Sequence, residues 1–186
     1  MKIFTPFRIV TFIAALFGAL SLGLGVAVAA SNHARDDGGV GVFNGDQDSK
    51  ACVHSRPLLE RNERNVINYY TIAFNKKNPA LAVQLYGGDE YIQHNPLAAN
   101  GFPAFIQFVT SFTTAFPDVH VDIKRVFADC DFVITHSLFT GAVPAYGPLG
   151  SKGVDISRLD ANGKIVEHWD VLAQLSPTSA NGNPEV

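Results

Sequence analysis

The chain has 186 residues, 47% hydrophobic and 17% charged, with a formal charge of -3. The first thirty residues hold 21 hydrophobic side chains and two bases, Lys2 and Arg8. The other 156 residues carry -5 and are about 42% hydrophobic, as in one globular domain. That length is too short for two full domains. An acidic remainder with no basic run longer than two residues excludes a nucleic-acid partner, which needs clustered Lys and Arg to displace phosphate counterions.

Lys2 and Arg8 form a positive start, residues 9–25 are apolar, and Ala27-Val28-Ala29-Ala30 supplies the small residues that a signal peptidase accepts. The expectation is a signal peptide over residues 1–30 and a secreted or periplasmic protein. The alternative is an uncleaved anchor, since residues 9–30 are about long enough to span a bilayer. Export permits a disulfide between Cys52 and Cys130, although spacing alone does not place two Cα atoms within about 7 Å.

Residues 31–56 are rich in Gly, Asp, Asn and Ser, a composition that cannot offset the entropy of ordering, and read as a flexible linker. The folded domain is expected over residues 57–186. Val66, Ile67, Tyr70, Ala73 and Phe74 recur at helical spacing and predict a helix over residues 58–75. Asn78-Pro79 is a start signal for a second helix, which Gly87-Gly88 ends. A short strand over residues 90–94 stops at Pro96. A third helix over residues 103–115 carries Phe105, Phe108, Val109 and Phe112 on one stripe.

Beyond Pro117 the period changes to two. Strands are predicted from Val119, over residues 132–140, over 152–159 and over 165–173, joined by turn-rich segments. Helices followed by a meander of strands make an α+β layout.

The last hairpin carries the strongest chemical signal. With a two-residue turn at Asn162-Gly163, Asp155 faces Asp170 and Ser157 faces His168. With a three-residue loop and Gly163 in a left-handed bulge, Asp170 faces Val154 instead. His168 and Asp170 share a face in both registers. Opposed carboxylates suit acid/base chemistry, but periodicity equally allows this face to be the solvated side of the sheet.

Ile72-Ala73-Phe74-Asn75, Tyr91-Ile92-Gln93-His94-Asn95-Pro96, Ala115-Phe116-Pro117-Asp118, Val154-Asp155-Ile156 and residues 163–171, Gly-Lys-Ile-Val-Glu-His-Trp-Asp-Val, together resemble SnoaL-like proteins. These are polyketide-cyclase relatives in the nuclear transport factor 2-like superfamily. The resemblance implies a cone-shaped α+β fold, with three helices packed on a curved, mostly antiparallel sheet enclosing a pocket. It also implies a general acid/base near the chain end, at the position of Asp170. A cavity His of those cyclases falls near Ile156, so the cyclase reaction itself is not implied.

The candidate catalytic residues are therefore Asp170, His168 and His94, the last expected to meet Asp170 across the pocket mouth. His136, Asp155, Tyr91 and Asn95 are candidates for binding substrate, with core packing the rival role for His136 and Tyr91. No metal is expected, because there is no His-Glu-x-x-His and no paired cysteine motif, and no cofactor is expected. The expected partner is a small hydrophobic carbonyl-bearing molecule. The bland alternatives are non-catalytic ligand binding and a homodimer formed through the sheet, which an outward Trp169 and Val171 would favour.

Overall fold

The computed structural model describes residues 55–186. The signal and anchor readings of residues 1–30, nearly all of the linker and Cys52 lie outside the described residues. Cys130 is disulfide-bonded. Among the described residues no helix is long and apolar enough to cross a membrane.

Helix α1 spans Arg56–Tyr70, beginning at the last residue assigned to the linker, and buries Val66, Tyr69 and Tyr70. The predicted continuation to residue 75 is a widened π turn, Thr71–Asn75, closed by Lys76 N–H on the Thr71 carbonyl at 2.9 Å. Its last residue, Asn75, both donates to and accepts from the backbone of Val121 at 2.8 Å. Helix α2, Pro79–Tyr86, starts as expected, with the Asn78 side chain accepting from Leu81 N–H at 3.1 Å.

Strand β1, Gly87–Gln93, is longer than predicted and stops before His94. Helix α3, Phe102–Ala115, buries Val109 and Phe112, with Phe105 and Phe116 packed against the core. Phe108, placed on that stripe from sequence, is exposed at the stripe's margin, where it stacks on Phe112.

Strands β2 (His120–Asp129), β3 (Phe132–Thr140), β4 (Ser151–Leu159) and β5 (Ile165–Gln174) form the expected meander. β1 completes a five-stranded sheet of order β1-β5-β4-β3-β2, parallel to β5 where all other pairs are antiparallel. Bulges interrupt β2 between Ile123 and Arg125 and the β4–β5 pair between Arg158 and Leu159. Extra residues of this kind bend a strand, and the sheet curves around the helices.

Both hairpin registers weighed from sequence are present in part. Gly163, at φ +77°, closes the loop, with Asp160 N–H on the Lys164 carbonyl at 2.8 Å and Leu159 opposite Ile165. The bulge then leaves Val166 unpaired with β4, and from Arg158–Glu167 onward the pairing is Ser157–His168 and Asp155–Asp170.

Helix α1 is latched to the turns of the sheet. Arg61 donates to the Ala161 carbonyl, Asn65 to Gly163 and Asn62 to Cys130. On the concave face, Gly153 of β4 lets Phe139 and Leu172 close over the strand: a Cβ there would lie 2.5 Å from one ring and 2.7 Å from the other side chain. Gly153→Ala should therefore cost about 1–3 kcal/mol through overpacking, read as a lowered urea midpoint with an unchanged slope. An unchanged midpoint would show that this contact is slack.

Candidate functional site

The polar face of the last hairpin points inward. Asp155 is 3% exposed and His168 8%, and Ser157, Thr135 and Ser137 are buried with them. The apolar face, with Val154 and Val171, looks outward. Burying carboxylate and imidazole groups is costly unless they are hydrogen-bonded, and here each has assigned partners.

Tyr70 projects from α1 onto β4 and β5. Its hydroxyl lies 3.1 Å from Asp155 Oδ1 and 3.0 Å from His168 Nε2, which is itself 3.3 Å from Asp155 Oδ1. Thr135 donates to the other carboxylate oxygen at 3.4 Å. The far ring nitrogen, Nδ1, lies 3.0 Å from Gln93 Oε1. That oxygen also accepts from the backbone N–H of Asn95 at 2.9 Å, while the Gln93 amide nitrogen donates to Tyr91 Oη at 3.1 Å. A backbone N–H can only donate, so the atom facing His168 is an acceptor and Nδ1 carries a proton. His168 therefore presents Nε2 to Asp155 and Tyr70. The Tyr70 proton can go to Asp155 while Nε2–H donates to the phenol oxygen, or it can go to an unprotonated Nε2.

Asp170 sits directly opposite Asp155 and is only half-buried. Asn95 Nδ2 donates to both of its oxygens, at 2.9 and 3.0 Å. The only ion-pair partner of either aspartate among the described residues is His168. One ligand atom each from Asp155, His168 and Asp170 lies within 4.8 Å of the others, a set with the chemistry to hold a cation. In this arrangement, however, His168 Nε2 is already engaged by Tyr70 and Asp155.

Burial, followed by the charge of Asp155, raises the Tyr70 pKa well above the usual tyrosine range, and burial likewise raises Tyr69, Tyr91 and Tyr146. All four therefore remain neutral phenols. Tyr91, offered from sequence as a ligand contact or a packing residue, is buried, stacks on Phe102 at 4.8 Å and lies parallel to His168 at 6.5 Å. Asn95, offered as a substrate contact, instead holds Asp170. Tyr70 and Gln93 were not picked out from sequence. A tyrosine at a buried helix position was the available signal, since its hydroxyl needs a partner.

Two expected site residues lie on the other face. His94 follows β1 by one residue and so emerges opposite Gln93. Its Nε2 pairs with Glu167 at 2.7 Å and its ring stacks on Trp169 at 4.5 Å; it does not meet Asp170. His136 pairs across the sheet with outward Val154 and contacts Arg125 at 2.9 Å, because alternation along β3 turns Thr135 and Ser137 inward and His136 outward. Ile156, opposite Trp169, is also on the convex face.

Burial would raise the pKa of Glu167, but hydrogen bonds from His94 and Arg158, and the charge of Arg158, outweigh it and hold the carboxyl below its usual range. A carboxylate with a lowered folded pKa stabilises the fold above its unfolded value of about 4.3, and this contribution is lost as pH falls through the folded value. In urea titrations, wild type should exceed Glu167→Gln in stability at about pH 5.5, and the gap should close toward about pH 3. A gap constant over that range would contradict the assignment.

With this geometry in view, the chain can be set beside known proteins. A proposed SnoaL-like polyketide cyclase from Jannaschia sp. CCS1 superposes with a TM-score of 0.53 and 18% identity, over 64% of this chain and 90% of that one. TsrD from Streptomyces laurentii gives 0.51 and 17% identity, over 60% and 87%. A proposed polyketide cyclase from Bacillus cereus ATCC 10987 gives 0.51 and 18%, over 60% and 74%. At these identities the likeness shows the fold alone, helices packed on a curved, mostly antiparallel sheet. No curated protein matches the chain in sequence. The SnoaL-like domain model matches residues 66–168, from the buried start of the α1 core to the histidine of the inward cluster, and the chain belongs to the SnoaL-like domain family.

Proposed function

We propose that this is an exported SnoaL-like domain. It binds a small hydrophobic carbonyl compound between the helices and the concave sheet face, and it moves a proton on the carbon beside the carbonyl, without a cofactor. Asp170 is the base. Its carboxylate takes the proton, the C–H electron pair forms the C=C bond, and the carbonyl π pair moves onto oxygen. Returning the proton isomerises or exchanges the substrate, and attack on a second carbonyl closes an aldol.

The observation that carries this reading is the division of labour between the two facing carboxylates. Asp155 is sealed and committed to Tyr70, His168 and Thr135, whereas Asp170 is half-buried and held by one neutral amide. The Asn95 amide fixes the Asp170 carboxylate in place without a cationic partner, and a neighbouring imidazole can receive or supply the proton. His94 takes no part, because it lies on the convex face.

The probe is 2-tetralone, an apolar ketone with an acidic α-carbon, followed by proton NMR in deuterium oxide. Wild type should accelerate exchange at that carbon over buffer, and Asp170→Asn should lower the rate by about 100-fold or more while still binding the ketone. A wild-type rate equal to buffer would defeat the catalytic reading, and retained binding would then leave a ligand carrier.

A second reading concerns the convex face and stands beside the first. Phe127, Ile134, Ile156 and Trp169 form a row across β2 to β5. Val154 and Val171 lie in the next row, with Phe127 59% and Val171 73% exposed. Apolar surface gathered in this way marks a partner site, and a second copy of the chain joined through the sheet is the proposed occupant. Sedimentation should give a dimer for wild type and a monomer of unchanged circular dichroism for Val171→Asp. A monomeric wild type would remove this reading.

A further inference from the structure

Tyr91 of β1 has a proton to give and no acceptor for it among the described residues. The residue is 5% exposed, with its ring stacked on Phe102 at 4.8 Å and edge-on to Phe105 at 5.8 Å. Its oxygen accepts from the Gln93 side-chain amide at 3.1 Å. The direction of that bond is fixed, because Gln93 Oε1 accepts the backbone N–H of Asn95 at 2.9 Å and the amide nitrogen is the atom left to face the phenol. A phenol that accepts one hydrogen bond keeps its own O–H free to donate.

The wall around Tyr91 repeats the same shortage. Tyr69 of α1 is 3% exposed and stacks on Phe105 at 5.1 Å, and its hydroxyl is enclosed without a partner. Two buried phenols therefore touch one phenylalanine ring, each with an O–H unanswered among the described residues. Buried donors are as a rule paired, and leaving one unpaired is costly. The missing complement is an acceptor oxygen, which a ligand can bring.

Short contacts tie the Tyr91 hydroxyl to the acid/base cluster. The Gln93 amide bridges it to His168, with Nε2 on the phenol at 3.1 Å and Oε1 on His168 Nδ1 at 3.0 Å, and the two rings lie parallel at 6.5 Å. Asn95, whose N–H sits on that same Gln93 oxygen, holds Asp170 through its own side chain at 2.9 Å. Phenol, imidazole and carboxylate are thus arranged around one pair of side-chain amides, with ligand atoms of His168 and Asp170 within 4.8 Å of each other.

We propose that Tyr91 donates its O–H to the carbonyl oxygen of the ligand, with the carbon beside that carbonyl turned to Asp170. The substrate class that fits is a ketone on an apolar ring body: its oxygen accepts and does not donate, as the phenol requires, and its body suits the aromatic side chains, Phe102 and Phe105, that surround the phenol. This placing rests on the acid/base reading for the direction of the reaction and adds the group that stabilises charge developing on oxygen. As the α-proton passes to Asp170, the C–H pair becomes the C=C bond and the carbonyl π pair arrives on the oxygen that Tyr91 holds. A donor already in place is worth most at that moment. The bond that Gln93 gives to the phenol oxygen polarises the O–H and strengthens it as a donor.

The test compares 2-tetralone with tetralin, the same ring system without the carbonyl, on wild type and Tyr91→Phe, which keeps the ring and removes only the hydroxyl. Wild type should prefer the ketone, and the infrared carbonyl stretch of bound 2-tetralone should lie below its value in an apolar solvent. Tyr91→Phe should weaken 2-tetralone about 3- to 10-fold, as expected for one neutral hydrogen bond, and leave tetralin unchanged. It should also return the stretch toward the apolar-solvent value and lower exchange by about 100-fold where wild type exchanges. Gln93 loses an acceptor in this variant, and the stretch separates a lost donor to the ligand from a displaced histidine. If wild type shows no exchange but the variant loses ketone affinity and moves the stretch, the Asp170 chemistry fails and the Tyr91 assignment stands. Exchange that Asp170→Asn abolishes and Tyr91→Phe leaves intact overturns the Tyr91 assignment and spares the Asp170 reading. A wild type that binds neither compound or both equally, or a stretch that Tyr91→Phe does not move, overturns the assignment as well.

Discussion

A buried carboxylate with no lysine or arginine beside it sets the terms for this domain. Asp155 is 3% exposed, and an ion taken out of water costs several kcal/mol unless hydrogen bonds replace its hydration. The replacements come from distant parts of the chain: Tyr70 on α1, Thr135 on β3 and His168 on β5. To deliver them, α1 must lie across the concave face and β4 must sit between β3 and β5. His168 in turn requires Gln93, which is why β1 runs parallel along the outer edge of β5, with Gln93 paired to His168. The asparagines of α1 that grip the sheet turns, and Asn75 that grips β2, hold the helix at the distance this network needs.

Asp170 is what the arrangement presents. The bulge that leaves Val166 unpaired moves β5 by one residue against β4, and only after that step do Ser157 and His168, and then Asp155 and Asp170, come face to face. One aspartate is consumed in holding the histidine, and the other is left half-buried with both oxygens on the Asn95 amide. The buried phenols around the cluster, Tyr70 of α1 and Tyr91 of β1, are neutral, and Asp155 meets the Tyr70 hydroxyl rather than a lysine or arginine. The proposed chemistry, moving a proton on a weakly acidic carbon, draws on that setting.

Much of this architecture is legible in the residue pattern. The three helices and the four-strand meander follow from periodicity, and the Asn78-Pro79 start is where the capping rule puts it. The hairpin register was left open between two values because a loop with Gly163 in the left-handed region and a two-residue turn are both compatible with Asn162-Gly163; the strand uses the first at its tip and reaches the second through a bulge. Which face is inward is not legible from alternation, since the polar face is the buried one and the apolar face is outside. The likeness of residues 163–171 to SnoaL-like proteins supplied that orientation. His94 and His136 went to the wrong face for the same local reason: along an extended chain a shift of one residue exchanges inside for outside, so Gln93 and Thr135 point in where their neighbours point out. Tyr70 was hidden in an apolar helix stripe.

The account turns on His168 being held in one orientation, Nδ1–H on Gln93 and Nε2 toward Asp155 and Tyr70. Long-range nitrogen–proton NMR of the histidine rings measures this directly. Nδ1 of His168 should show the shift of a protonated nitrogen throughout the pH range in which the protein is folded, and in Gln93→Leu that restriction should be lost. A His168 ring whose Nδ1 is unprotonated in the folded wild type would contradict the network, and with it the placing of Asp170 as the free carboxylate.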